Sequence, residues 1–166
     1  MRYVRQPDKY SCGPTAIINA VKWAGKKMSL SNHKKLVKEC HTTYEMGTHE
    51  IDFSASLKKN LKKIASIKFR KKALYKDVIS HLNNDSAIIL LYWKKMQGYT
   101  KKNQNIEAHY TLVFLNENKE TVYINDSLEL TSMILPKSTL RKRLIFMKND
   151  KVNFPCVWFI KKNKRK

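Results

Sequence analysis

Cys12 sits in the run Gln6-Pro7-Asp8-Lys9-Tyr10-Ser11-Cys12-Gly13-Pro14-Thr15-Ala16, between a turn and the start of a helix. Gly13 and Pro14 stop whatever precedes them, and proline suits the first helical turn, where its missing N–H is not needed. Ala16, Ile17, Ala20, Val21 and Ala24 then recur at helical spacing, and Gly25 can close the helix. The positive end of the helix favours a thiolate at Cys12. A buried apolar cysteine is the commoner use of the residue. That use does not call for a glycine, a proline and a helix aimed at the sulfur, so the expected chemistry is nucleophilic.

A thiol nucleophile needs a base, a group that orients the base, and donors for an oxyanion. Of the five histidines, His33, His49 and His81 fall on or beside expected helices among lysines, and His41 falls in a polar stretch. His109 differs, because it opens the apolar run His109-Tyr110-Thr111-Leu112-Val113-Phe114-Leu115 after a long polar loop. A strand end at a loop junction holds a side chain firmly and leaves it reachable. A turn at Asn116-Glu117-Asn118-Lys119 would bring Val122-Tyr123-Ile124-Asn125-Asp126 back alongside, with position 126 about level with position 109. Asp126 could then fix the tautomer of His109 and stabilise its imidazolium. Asn125 beside it could also orient a histidine. Gln6 has an amide able to donate to an oxyanion, with the N–H of Cys12 as second donor.

These residues need helices first and a sheet later. A second helix is expected from a Ser31 cap through Leu36, Val37 and Cys40. A third opens at Gly47-Thr48, with Ile51, Leu57, Leu61 and Ile64 inward and Lys58, Lys59, Lys62 and Lys63 toward water. Ile67 to Arg70 reads as a short strand and Lys76 to Leu82 as a short helix. Ala87 to Trp93 is an apolar run of strand length, consistent with a central strand. Lys94 to Glu107 reads as a loop, Pro136 to Lys148 as a further helix and Val157 to Ile160 as a last strand. Residues 1–160 form one domain in this reading, and 161–166 a basic, disordered tail.

A chain of 166 residues with 42% hydrophobic residues can bury a real core. Its charge is unusual: 34 Lys+Arg against 13 Asp+Glu gives +21. Such a charge attracts nucleic acid, an anionic membrane surface or an acidic protein partner, with Lys62, Lys63, Lys71, Lys72, Lys101, Lys102, Arg141, Lys142 and Arg143 as candidate phosphate contacts for a nucleic acid. A well-solvated surface explains scattered lysines equally well. Cys12, Cys40 and Cys156 are odd in number and show no paired spacing, so a reducing, intracellular setting is expected. No signal peptide precedes Cys12 and no apolar run is long enough to span a bilayer. Neither zinc-ligand spacing nor a phosphate-binding glycine loop is present, and no cofactor is expected.

Together, Gln6, Ser11-Cys12-Gly13-Pro14-Thr15-Ala16, His109 before its apolar strand, and Tyr123-Ile124-Asn125-Asp126 resemble the papain-like peptidases that process bacteriocins at double-glycine leaders. The likeness extends to Gly47-Thr48 and to the strand Ile88 to Leu91. Asp126-Ser127 stands where that family often has Asp-Pro. The resemblance implies an α+β papain-like fold, with an N-terminal helical part packed on a C-terminal antiparallel sheet. It implies Cys12 as nucleophile, His109 as general base and acid, Asp126 as orienting residue and Gln6 in the oxyanion hole, acting on a polypeptide. An acyl- or peptidyl-transferase or an isopeptidase would use the same triad. A basic nucleic-acid-associated protein would use the fold as scaffold.

Overall fold

The computed structural model describes residues 3–73, 75–95, 106–115, 121–126, 133–136 and 156–163. Helix α1 (Cys12–Trp23) starts at the nucleophile candidate, and every residue in it except Lys22 is buried. Its end is a glycine cap: Gly25 takes φ +90°, its N–H donates to the Lys22 carbonyl and that of Lys26 to Val21. A 3-10 turn over Leu30–Asn32 follows, and then α2 (His33–Glu39). Ser29 precedes this turn, and its N–H donates to the side chain of Asn32, which stands at the N-cap of α2 in place of the expected Ser31.

Helix α3 (Glu50–Leu61) buries Phe53, Ser56, Leu57 and Leu61. The expected inward Ile51 is instead 69% exposed. Phe53, Leu57 and Leu61 form an i, i+4 row, and a residue two places before Phe53 points the other way. Strand β1 (Ala65–Lys71) is longer than expected, and α4 (Tyr75–His81) lies one residue earlier. Then come β2 (Ser86–Lys95), β3 (Ile106–Leu115), β4 (Thr121–Asp126), β5 (Met133–Pro136) and β6 (Cys156–Lys162).

The six strands form one antiparallel sheet in the order β1-β6-β2-β3-β4-β5. The last strand in sequence therefore lies between β1 and β2. Lys161 and Lys162 belong to it, paired with Ser66 and Ala65. β5 was not expected, and Pro136 ends it; residues 137–150, where the further helix was expected, lie outside the described residues. So do most of the long loop and the turn at 116–119.

Two cores explain the apolar run of β2. Ala87, Ile89 and Leu91 pack with α1 and α3, while Ile88 and Leu90 pack with Val78 and Leu82 on the other side. A strand covered on both faces reads as continuous apolar sequence. On the α1 side, Phe53 stacks on Tyr110 at 4.2 Å between ring centroids, and Trp158 meets Phe53 edge-on at 4.6 Å. The Trp158 indole N–H donates to Ser54 Oγ at 2.7 Å. The fold is the expected α+β arrangement, a helical layer bearing Cys12 laid on an antiparallel sheet.

Candidate active site

The segment before α1 is tied down by two local devices. The buried Asn19 side chain takes the Val4 N–H at 2.8 Å and donates to the Val4 carbonyl at 2.9 Å, strapping residues 3–6 along α1. The Asp8 carboxylate accepts from the N–H groups of Tyr10 (3.0 Å) and Ser11 (2.7 Å), turning the chain into the helix. Gln6 is only 6% exposed, and its amide donates to the Asp8 carbonyl. It is not a surface residue of a frayed terminus. The Ser11 carbonyl starts α1 by accepting from Thr15 N–H and Oγ1.

Cys12 is buried, at 6% exposure, at the head of α1, whose first turn carries no acidic side chain. Gly13 is required there by a close neighbour rather than by a turn. A Cβ on Gly13 would lie 2.7 Å from Thr48 Oγ1 and 2.9 Å from Thr48 Cβ. Thr48 is held from two sides: its hydroxyl pairs with that of Thr42 at 2.7 Å, and the Tyr110 hydroxyl donates to its carbonyl at 3.0 Å. Gly47, at φ +63°, closes a small loop in which Thr43 and Gly47 exchange backbone hydrogen bonds. That loop exposes Tyr44 and Met46, and the Tyr44 ring meets Tyr10 edge-on at 5.8 Å.

β3 runs under α1, and its residues alternate. Tyr110, Leu112 and Phe114 pack into the α1 core, and Val113 into the core on the other side. Burial holds the Tyr110 phenol well above its ordinary range, and Cys12 adds to this more than any other charge. His109 is 3% exposed, shares the phase of Thr111 and Val113, and is the fourth residue of β3 rather than its first. Thus Tyr110, not His109, lies directly under α1.

The register differs from the expectation. Asp126 pairs with Thr111, two residues along from His109, and Asn125 pairs with Leu112. Leu115 pairs with Val122, so the connection is two residues longer than a turn of four. Opposed residues share a face of an antiparallel pair. Position 126 is therefore in phase with Thr111 and His109, and position 125 with Leu112 and Tyr110.

By sequence, His33 is a helical histidine among lysines with no marked role. It is buried, and its Nε2 lies 2.9 Å from Ser11 Oγ, next to the nucleophile candidate. Only the tertiary packing of α2 against the turn reveals it. Asp8, by contrast, was within reach of sequence reasoning, since an aspartate three residues before a serine at a helix start is a local turn pattern. Burial depresses the His33 pKa, and Asp8 partly offsets this. The unfolded chain therefore takes up this proton first. Stability supplied by neutral His33 is complete above about pH 6.5 and is lost as pH falls toward the folded value. The thermal midpoint is expected to fall as pH drops below about 6.5, and less steeply in His33→Gln. A residual slope is expected from His81, which burial depresses likewise.

Among the described residues no group of three His, Cys, Asp or Glu side chains could hold a metal ion, and no helix is long and apolar enough to cross a membrane.

A buried helix headed by a cysteine and laid on an antiparallel sheet defines the papain-like class. Solved structures agree. A double glycine motif protease from an AMS/PCAT transporter, in complex with the leader peptide, superposes with a TM-score of 0.59 at 12% identity, covering 98% of this chain and 91% of that one. The peptidase domain of Streptococcus ComA, a bi-functional ABC transporter involved in quorum sensing, gives 0.57 at 18%, covering 96% and 97%. The Pseudomonas avirulence protein AvrPphB gives 0.51 at 9%, covering 92% and 90%. No curated protein matches the chain. The Peptidase_C39 like family matches residues 1–149, and the chain belongs to that family of papain-like cysteine peptidases.

Proposed function

We propose that this protein cleaves a peptide bond within a polypeptide through a Cys12–His109–Asp126 triad and a thioester. The observation that carries the reading is Cys12 at the head of the buried helix α1 in a chain of the Peptidase_C39 like family; His109 is buried in the strand that α1 packs against, in the phase opposite to Tyr110. Cys12 thiolate attacks the carbonyl carbon, and the oxyanion is met by the Cys12 N–H and the Gln6 amide. The C–N bond breaks as His109 protonates the leaving amine. His109 then takes a proton from water, which displaces the thiolate and frees the new carboxylate. The phase of position 126 favours Asp126 over Asn125 as the residue that orients His109. The substrate is read as a polypeptide because a structural neighbour was solved with a leader peptide.

Thiol labelling tests this directly, because burial disfavours the thiolates of the other two cysteines. Burial pushes the thiols of Cys40 and Cys156 up to about 11. Iodoacetamide at about pH 6, where an ordinary thiol of pKa about 8.5 is almost wholly protonated, is expected to alkylate Cys12 readily. Peptide mapping should show the label absent from Cys12→Ala and strongly slowed in His109→Ala. Labelling of Cys12 at the rate of an ordinary thiol, unchanged without His109, would overturn the assignment.

A further inference from the structure

Three chain segments end at the pole of the molecule opposite Cys12. Helix α1 spans the twelve residues Cys12–Trp23, about 17 Å from first to last at 1.5 Å per residue, and is followed by the exposed Lys26 and Lys27. Helix α3 ends at Leu61, followed by the exposed Lys62 and Lys63. Strand β6 ends with Lys161 and Lys162. Contacts hold these ends together. Lys162 pairs with Ala65 in β1, the Asn163 N–H donates to Ile64, and Lys162 Nζ lies 4.5 Å above the Trp23 ring.

What sets the pole apart is that the fold gathers six lysines there from three separate segments. Elsewhere Lys35 and Lys59 meet Glu39, Arg70 meets Asp77 and Lys71 meets Glu50. Among the described residues, none of the six lysines at the pole has a carboxylate within ion-pair distance. Asp85 approaches, but through its backbone carbonyl, which accepts from Lys162 N–H. Like charges are thus held together by the fold with no carboxylate of the described residues paired to them, which favours an anionic partner.

We propose that this pole binds an anionic phospholipid surface. Two features favour a lipid surface over nucleic acid. The described cations there are all lysines, point charges without the planar fork that arginine offers to phosphate and bases, and no exposed aromatic ring of the described residues lies among them for bases to stack on. The segment carrying Lys26 and Lys27 also walls an open cleft of about 520 Å³ with Met28, Ser29 and Asn32. In the same segment Leu30 is 46% exposed, an apolar side chain beside the charges. Clusters of four to eight lysines beside an apolar contact suit headgroups of negative charge. With the pole on the lipid, Cys12 at the far end of α1 faces away from it.

Co-sedimentation of the full chain with vesicles tests the proposal. Binding is expected to phosphatidylcholine vesicles containing about 30 mol % phosphatidylserine and not to phosphatidylcholine alone, and to weaken as salt rises. Lys62→Glu/Lys63→Glu should lower partitioning about tenfold or more. Lys72→Glu/Lys76→Glu, the same charge change at the other end of the sheet, should leave it nearly intact. Leu30→Ser should weaken it without changing charge. Equal thermal midpoints would show that the variants fold, and Cys12→Ala should bind as wild type does. Equal losses in the two charge variants would overturn the proposal, because net charge alone would then suffice. So would equal binding to neutral vesicles, or binding of a short DNA duplex with none to either vesicle.

Discussion

His109→Ala is expected to lower kcat for peptide hydrolysis by about 10²–10⁴ with little change in KM, the range that a general acid–base contributes. The reason lies in the leaving group. An amine leaves a tetrahedral intermediate only when it is protonated, and His109 is the proposed source of that proton. A nitrophenolate leaves without one. The same variant should therefore lose much less activity on a peptidyl nitrophenyl ester than on the corresponding amide, once Cys12 is made the thiolate by raising pH. A residue that merely packed into the sheet would damage both reactions alike. His109 is buried, so alanine leaves a cavity. His109→Gln keeps most of the volume and still cannot act as an acid or base, and its loss should match that of His109→Ala. Asp126→Asn should lie between these variants and wild type, because the imidazole keeps its place but loses the charge that stabilises its protonated form.

The parts of this site that could be read from sequence are those set by neighbours along the chain. Cys12, Gly13, Pro14 and the apolar period after them specify a helix head locally, and α1 begins at Cys12 as that pattern requires. Ala87 to Trp93 likewise signals a strand buried on both sides, since two covered faces leave no polar alternation. Positions that depend on partners far along the chain were not legible. Nothing in β6 says that it inserts between β1 and β2. The register of β4 on β3 hangs on the length of one connection, and two extra residues moved Asp126 from His109 to Thr111. Ile51 fits an apolar helical face only if that face is drawn without Phe53, whose aromatic stack with Tyr110 fixes how α3 turns. His33 looks like any helix-surface histidine until α2 docks and buries it against Ser11. Local pattern places Gly13 at the helix head, but the demand for a glycine there comes from Thr48, 35 residues later.

That last contact has a measurable consequence, because Gly13→Ala adds a single methyl group beside the nucleophile. Helix propensity alone predicts a gain, since alanine is the better helix former by about 1 kcal/mol. The packing predicts a loss. The new Cβ would meet three atoms of Thr48, Oγ1 at 2.7 Å, Cβ at 2.9 Å and Cγ2 at 3.1 Å. A long flexible side chain could swing away, but Thr48 cannot. Its Cβ is fixed to a backbone whose carbonyl takes the Tyr110 hydroxyl, and its hydroxyl is held by Thr42. Helix α1 is buried on all sides except at Lys22 and has no room to retreat. Overpacking of this kind costs about 1–3 kcal/mol, more than the propensity gain, so the thermal midpoint should fall by several degrees, at about 2–4 °C per kcal/mol for a chain of this size. The strain falls on the residue next to Cys12. Alkylation of Cys12 and peptide hydrolysis should both drop further than the loss of folded protein accounts for, at temperatures well below the midpoint. A Gly13→Ala variant as stable and as reactive as wild type would mean that the head of α1 can shift away from Thr48. Cys12 would then be held by its helix alone and not by the contact between α1 and the loop before α3.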